Sequence, residues 1–203
     1  MFNVVTIARE YGSGGAGVGR KIAELLGWEF LDKQIIERAA VAGKVRCDWI
    51  EAADEKSRSW WEDALHGLNI SLELSPDSSL DYDTVQVATA RVIQEAARVG
   101  NCVIIGRSSQ CVLRHHPHVL HALVYAPLAE KMERMKLRHP HERDLRALLQ
   151  RMDSDRSHYT QNYFGCDWLD RRLYHLCVNS TLGLDACAEL IVRSLQLKTF
   201  QNG

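Results

Sequence analysis

The segment Tyr11-Gly12-Ser13-Gly14-Gly15-Ala16-Gly17 is built of residues that can lie close against an anion. Five glycines fall within eight residues, at 12, 14, 15, 17 and 19. The apolar run Val4–Ala8 leads in, and Val18, Ile22, Leu25 and Leu26 follow at helical spacing. Strand, glycine loop and helix in that order aim backbone N–H groups and a helix N-terminus at a phosphate. Glycine suits the loop because a Cβ would hold the anion away and because such turns use positive φ. Arg9 stands at the loop entrance, where it either contacts phosphate or pairs with a neighbouring acid. Arg20 and Lys21 lie in the first helix turns, and Arg20 either folds back toward the loop or faces solvent. Ser13 is the only hydroxyl inside the loop, which makes it the candidate Mg2+ ligand. No Lys-Ser or Lys-Thr pair closes the loop, as a standard P-loop requires.

Other chemistry-bearing residues come later. Gly106-Arg107 follows an apolar run, and a planar guanidinium suits bidentate phosphate binding; a structural salt bridge is the plainer role. Asp32 ends a short apolar run and either faces a ligand or caps the next helix. Residues 140–172 are dense in charge and aromatics, with Arg143, Arg146, Arg151, Asp153, Asp155, Arg156, Tyr159, Tyr163, Trp168, Arg171 and Arg172. That pattern fits a solvated helix or a mobile lid, with the three aromatics packing the lid. His115, His116, His118 and His121 invite a metal reading. They cross Pro117 into a strand, where alternate side chains oppose each other, so a polar loop with one buried histidine is expected instead.

The elements that must position these groups are legible as a pattern. Val4–Ala8, Glu29–Leu31, Cys102–Ile105, Val119–Tyr125 and Leu176–Val178 read as strands. Their near-continuous apolar character suits a parallel sheet buried on both faces. Thr84–Val99, Leu128–Arg138 and Leu182–Leu197 read as helices between and after them, giving right-handed crossovers and a three-layer α/β domain. The 203 residues are 46% hydrophobic, enough for one substantial core. A net charge of −1 argues against general nucleic-acid or membrane-surface binding, and no apolar run approaches the length of a membrane span. Six cysteines without a CxxC pair read as reduced thiols in a cytoplasmic protein.

Several of these pieces recur together in a known family. Ala8-Arg9-Glu10-Tyr11-Gly12-Ser13-Gly14-Gly15, Phe30-Leu31-Asp32-Lys33, Val103-Ile104-Ile105-Gly106-Arg107, Tyr125-Ala126-Pro127-Leu128, Asp153-Ser154-Asp155-Arg156 and Tyr174 to Ser180 appear in characteristic order and spacing. By them the chain resembles the cytidylate kinase-like family of P-loop nucleoside monophosphate kinases over nearly its whole length. The resemblance implies a three-layer P-loop NTPase fold with a five-stranded parallel sheet. It implies one kinase-like domain over 1–203, with core segments 1–32, 84–139 and 173–200, a monophosphate-binding insertion near 33–83 and a helical lid near 140–172. ATP with Mg2+ and a nucleoside monophosphate, CMP or dCMP favoured, are the implied ligands. The oligomeric state stays open, a homodimer included.

Arg9, by its place at the loop entrance, and Gly12 through Gly17, Ser13 and Ala16 among them, are the residues read as holding the ATP phosphates; the resemblance adds the acceptor and lid positions. Arg107 and Arg38 fall on the acceptor monophosphate and Asp32 near the acceptor nucleoside. In the lid, the resemblance has Arg151 bridge the two nucleotides and Asp155 read the acceptor; Arg156, and Arg20 in the first helix, are candidate sources of catalytic charge by residue type and position. His158 stands where another lid arginine is expected. Gly15 falls where the phosphate-contacting lysine stands, and Gly17 where the Mg2+-binding hydroxyl stands. Two rival readings follow: a nucleotide-binding protein that no longer transfers phosphate, motivated by the missing lysine, and a dinucleotide-binding oxidoreductase, motivated by the GxGxxG match and Asp32. Against the second, Arg9-Glu10-Tyr11 separates strand from glycine, whereas a dinucleotide turn is tight.

Overall fold

The computed structural model describes residues 2–32 and 82–197. The expected insertion, the candidate Arg38 and the tryptophans at 49, 60 and 61 lie outside the described residues. Five strands, β1 (Val4–Arg9), β2 (Glu29–Leu31), β3 (Cys102–Ile105), β4 (Val119–Tyr125) and β5 (Leu176–Asn179), form one parallel sheet in the order β2-β3-β1-β4-β5. The described helices are α1 (Gly15–Leu26), α2 (Tyr82–Val99), the single turn α3 (Ser109–Val112), α4 (Leu128–Arg138), α5 (Leu145–Phe164) and α6 (Leu184–Ser194).

The apolar runs carry no alternation because both faces of the sheet are covered. Val5, Ile7, Val103 and Ile105 pack with Val18 and Ile22 of α1 and Cys187 and Ile191 of α6. Val4, Cys102 and Ile104 point the other way, onto Val92, Ile93 and Ala96 of α2. Three layers result, with β1 at the centre. The sheet order also removes the oxidoreductase reading. A dinucleotide-binding fold sets β2 beside β1, so that the acid ending β2 reaches a ribose beside the glycine loop. Here β3 intervenes.

The last helix is shorter than its periodicity suggests. Ser180–Leu182 forms a separate 3-10 turn capped by Asn179, whose side chain accepts the Thr181 N–H at 3.1 Å, and α6 starts only at Leu184. The lid segment resolves into α5, capped by Asp144, whose carboxylate accepts the Ala147 N–H at 2.9 Å. Trp168 is 4% exposed and packs with Ala8, Leu123 and Tyr174 at the sheet. Among the described residues no helix is long and apolar enough to cross a membrane.

Of the clustered histidines, only His121 is buried. It lies in β4, hydrogen-bonds Thr6 Oγ1 through Nδ1 at 2.7 Å and stacks on His175 with centroids 5.4 Å apart. Among the described residues no group of three His, Cys, Asp or Glu is placed to hold a metal ion. Burial, and then the neighbouring His175, push His121 down to about 4, and His175 is lowered by burial too. A base held neutral in the fold takes up its proton on unfolding, so stability falls as pH drops below the ordinary histidine value toward 4. Urea unfolding at stepped pH is expected to show this with a slope approaching ~1.4 kcal/mol per pH unit for His121. His121→Gln is expected to flatten the slope, whatever it does to absolute stability; an unchanged slope would remove His121 as its source.

Candidate active site

The C-terminal ends of β1 and β3 lie side by side, and the sheet reverses there. From β1 the chain runs toward β2, and from β3 it crosses to β4 on the far side of β1. Open α/β sheets bind ligands in the crevice at such a point. Arg9 is the last residue of β1, and Gly106-Arg107 immediately follows β3.

Arg9 decides the shape of the crevice. A Cβ at Gly15 would stand 2.5 Å from Arg9 Cβ and 3.1 Å from its Cγ, and a Cβ at Gly106 would collide with the guanidinium. The side chain therefore crosses the base of the glycine loop and lies against the turn after β3. Burial first, and then Arg156 and Arg107, push its guanidinium down to about 10, with Asp32 and Asp153 opposing them. Arg9, Arg107 and Arg156 thus gather within electrostatic range, with Asp32 and Asp153 as the balancing carboxylates. Cations converge against their own repulsion where something must be held, and polyanions are what such a cluster holds.

Arg107 arrives there on a strained backbone. Gly106, Arg107 and Ser108 have φ of 73°, 56° and 50° in succession. Each side-chain-bearing residue in that region costs roughly 1–2 kcal/mol, and such strain persists only where surrounding contacts impose it. Here α5 imposes it: Ser108 Oγ lies 2.8 Å from Thr160 Oγ1, and the Arg107 guanidinium sits 5.6 Å from the centre of the Tyr159 ring. Tyr159 in turn donates to Gln86 of α2.

The glycine loop is held from beneath. Ser13 is fully buried, with Oγ 2.8 Å from Glu10 O and 3.0 Å from Val124 O. Both neighbours are acceptors, so the hydroxyl donates under the loop. Ser13, the candidate Mg2+ ligand, thus directs its hydroxyl proton beneath the loop. Its carbonyl accepts from Arg134 Nη1 at 2.7 Å and from Ser180 Oγ at 2.6 Å. Across a trans peptide, a carbonyl fixed outward turns the following Gly14 N–H the opposite way. Gly15, Ala16 and Gly17 form the first turn of α1, whose amides lack intrahelical acceptors, and no acidic residue occupies that turn. These donors suit the phosphates of a nucleotide.

The remaining candidates separate. Arg156 reaches the loop, with its guanidinium 5.7 Å from the centre of the Tyr11 ring. Arg20 does not: it is exposed, and its guanidinium lies over Phe30 at 5.1 Å. Helical direction carries it toward β2, away from the arginine cluster. Arg151 and Asp155 are exposed on α5, outside the cluster. Sequence reasoning missed Lys131, Arg134, Asp153 and Ser180 as site residues. The advance signals were Asp153 within the Asp153–Arg156 motif and Ser180 at the end of the Tyr174–Ser180 motif; Lys131 and Arg134 look like ordinary helix-surface residues until the fold brings them to the loop.

Comparison with known proteins agrees with this geometry. The sequence pattern of the cytidylate kinase-like family matches residues 4–182. No curated protein matches the sequence. Among solved structures, an uncharacterized protein from Eubacterium ventriosum is 19% identical with a TM-score of 0.72, covering 98% of this chain and 100% of its own. A shikimate kinase from Acinetobacter baumannii, in complex with shikimate, is 16% identical with a TM-score of 0.51, covering 98% and 97%. A shikimate kinase from Bacteroides thetaiotaomicron is 9% identical with a TM-score of 0.50, covering 96% and 98%. At these identities the likeness establishes the fold, that of a P-loop kinase.

The Arg9–Gly15 contact makes the lysine-less loop testable. Even Gly15→Ala is expected to cost about 1–3 kcal/mol by overpacking against Arg9 and Val124, read as a lowered thermal midpoint. Gly15→Lys is expected to lose stability likewise rather than restore a standard loop. An unchanged midpoint in Gly15→Ala would show that Arg9 moves aside freely.

Proposed function

The chain belongs to the cytidylate kinase-like family, and we propose that it transfers the γ-phosphate of Mg-ATP to a nucleoside monophosphate, with CMP or dCMP the favoured acceptor. The observation that carries this reading is the gathering of Arg9, Arg107 and Arg156 beside the open amides of the loop and α1. Phosphoryl transfer asks the protein for alignment and for positive charge around the moving group, with little covalent chemistry. Loop and helix amides would hold the donor phosphates. Arg107, at the edge of β3, would hold the acceptor phosphate, with Arg38 as a second contact and Asp32 near the acceptor nucleoside. Arg156, and Arg151 once the nucleotides are bound, would supply charge from α5, and Asp155 would read the acceptor.

Arg9 is the counterpart of the missing lysine in this scheme. It crosses the loop from its first residue, where a lysine would reach in from the helix. Mg2+ would enter with ATP as a partner of its phosphates and neutralise their charge; no loop hydroxyl is turned to ligate it. The preference for a cytidine nucleotide rests on family membership, since no described residue reads a cytosine.

Gly15 in the lysine's place also favours a second reading, a protein that binds nucleotide without turning it over. Assay of Mg-ATP against a panel of ribo- and deoxyribonucleoside monophosphates decides between them. Transfer to CMP or dCMP is expected, with collapse in Arg151→Ala. Arg107→Ala is expected to weaken acceptor binding by about 3 kcal/mol, roughly 100-fold, while sparing ATP. Unchanged acceptor affinity would overturn the role of Arg107, and ATP binding without transfer to any acceptor would establish the second reading.

A further inference from the structure

Four side chains of alternating charge run from the glycine loop to the cluster. The Glu10 carboxylate accepts from Lys131 Nζ at 2.9 Å and from the Ala126 N–H at 3.4 Å. Lys131 Nζ lies 3.8 Å from Asp153 Oδ2. Asp153 Oδ1 pairs with Arg156 Nη1 at 2.5 Å and accepts the Tyr11 N–H at 2.7 Å. The four side chains are only 12–22% exposed, so their attractions are less screened than those of surface pairs.

We propose that Asp153 is a positioning residue that holds Arg156 over the loop, where it acts on the nucleotide phosphates. Arg156 cannot stay there on its own account. Arg9 repels it, and burial lowers its proton affinity, with Asp153 the largest opposing influence. Asp153 is tied to the loop backbone through Tyr11, and one helical turn separates it from Arg156, so it fixes both the register and the charge balance of α5 at the loop. Lys131 is committed to two carboxylates. It therefore serves this anchor and does not replace the absent loop lysine. The catalytic consequence rests on the phosphotransfer reading above; the effect on polyphosphate binding does not.

The test compares four variants of the full chain: Asp153→Asn, Asp153→Glu, Arg156→Ala, and the double substitution that combines Asp153→Asn with Arg156→Ala. Asparagine can still accept the Tyr11 N–H but cannot pair with Arg156. Asp153→Asn is expected to lower kcat roughly 10- to 100-fold, the usual range for loss of an outer partner, with the acceptor KM little changed. Glutamate is expected to restore part of it, and the double substitution to be no worse than Arg156→Ala alone, since the two act as one unit. Calorimetric binding of sodium tripolyphosphate is expected to follow the same non-additive pattern. Additive losses, or wild-type kcat and wild-type tripolyphosphate affinity in folded Asp153→Asn, would overturn the proposal. If the unmodified chain transfers no phosphate, the function above fails, and tripolyphosphate binding alone decides for or against Asp153. If Asp153→Asn does not fold, the decision passes to Asp153→Glu: partial affinity with intact folding supports the proposal, and full loss refutes it.

Discussion

The enclosed guanidinium of Arg9 is the constraint on which the rest of the site depends. A cation at the end of the central strand, largely removed from water, is costly unless charge and space are arranged around it. Space is arranged by glycine at 15 and 106, the two positions where a side chain would strike it. Charge is arranged by Asp32 and Asp153, which oppose the lowering caused by burial, Arg156 and Arg107. The order of the sheet places all of these at one edge, because β3 inserts between β1 and β2 and its turn abuts the end of β1. The turn itself is bent into a left-handed path and secured by α5. Loop, acceptor turn and lid helix are therefore mutually dependent.

Much of the fold was legible because it follows from patterns spanning a few residues. The five strands were read to within a residue, since a parallel sheet covered on both faces leaves continuous apolar runs. Leu128–Arg138 was bounded correctly, with Pro127 before it marking the start. The last helix was read as Leu182–Leu197 and is shorter at both ends, because the side chain of Asn179 closes a separate turn over Ser180–Leu182 and the helix ends at Ser194.

The site was legible in part, and the division has a physical cause. Arg9, Arg107 and Arg156 could be nominated from position and motif, but their convergence is a property of sheet order. Ser13 could be nominated as a metal ligand only by residue type, because a hydroxyl in a glycine loop says nothing about which side of the loop it faces; here it is directed beneath the loop, toward Val124 O. Arg20 was left open between the loop and solvent because spacing along a helix gives a direction only once the helix has been docked; it lies over Phe30. Lys131, Arg134 and Ser180 meet residues at the loop more than a hundred positions away; the Tyr174–Ser180 motif marked Ser180, but no local signal marked the two basic residues of α4.

The close approach of Arg9 to Gly15 has a historical consequence. The 2.5 Å approach is to the Arg9 Cβ, an atom every residue but glycine carries, so the crowding belongs to the path of the backbone rather than to arginine as such. A lineage acquiring a side chain at position 15 has to part the end of β1 from the start of α1, whichever residue stands at position 9. Loops with and without a side chain at position 15 are therefore expected to descend separately, with few intermediates, and to differ in the spacing of β1 and α1.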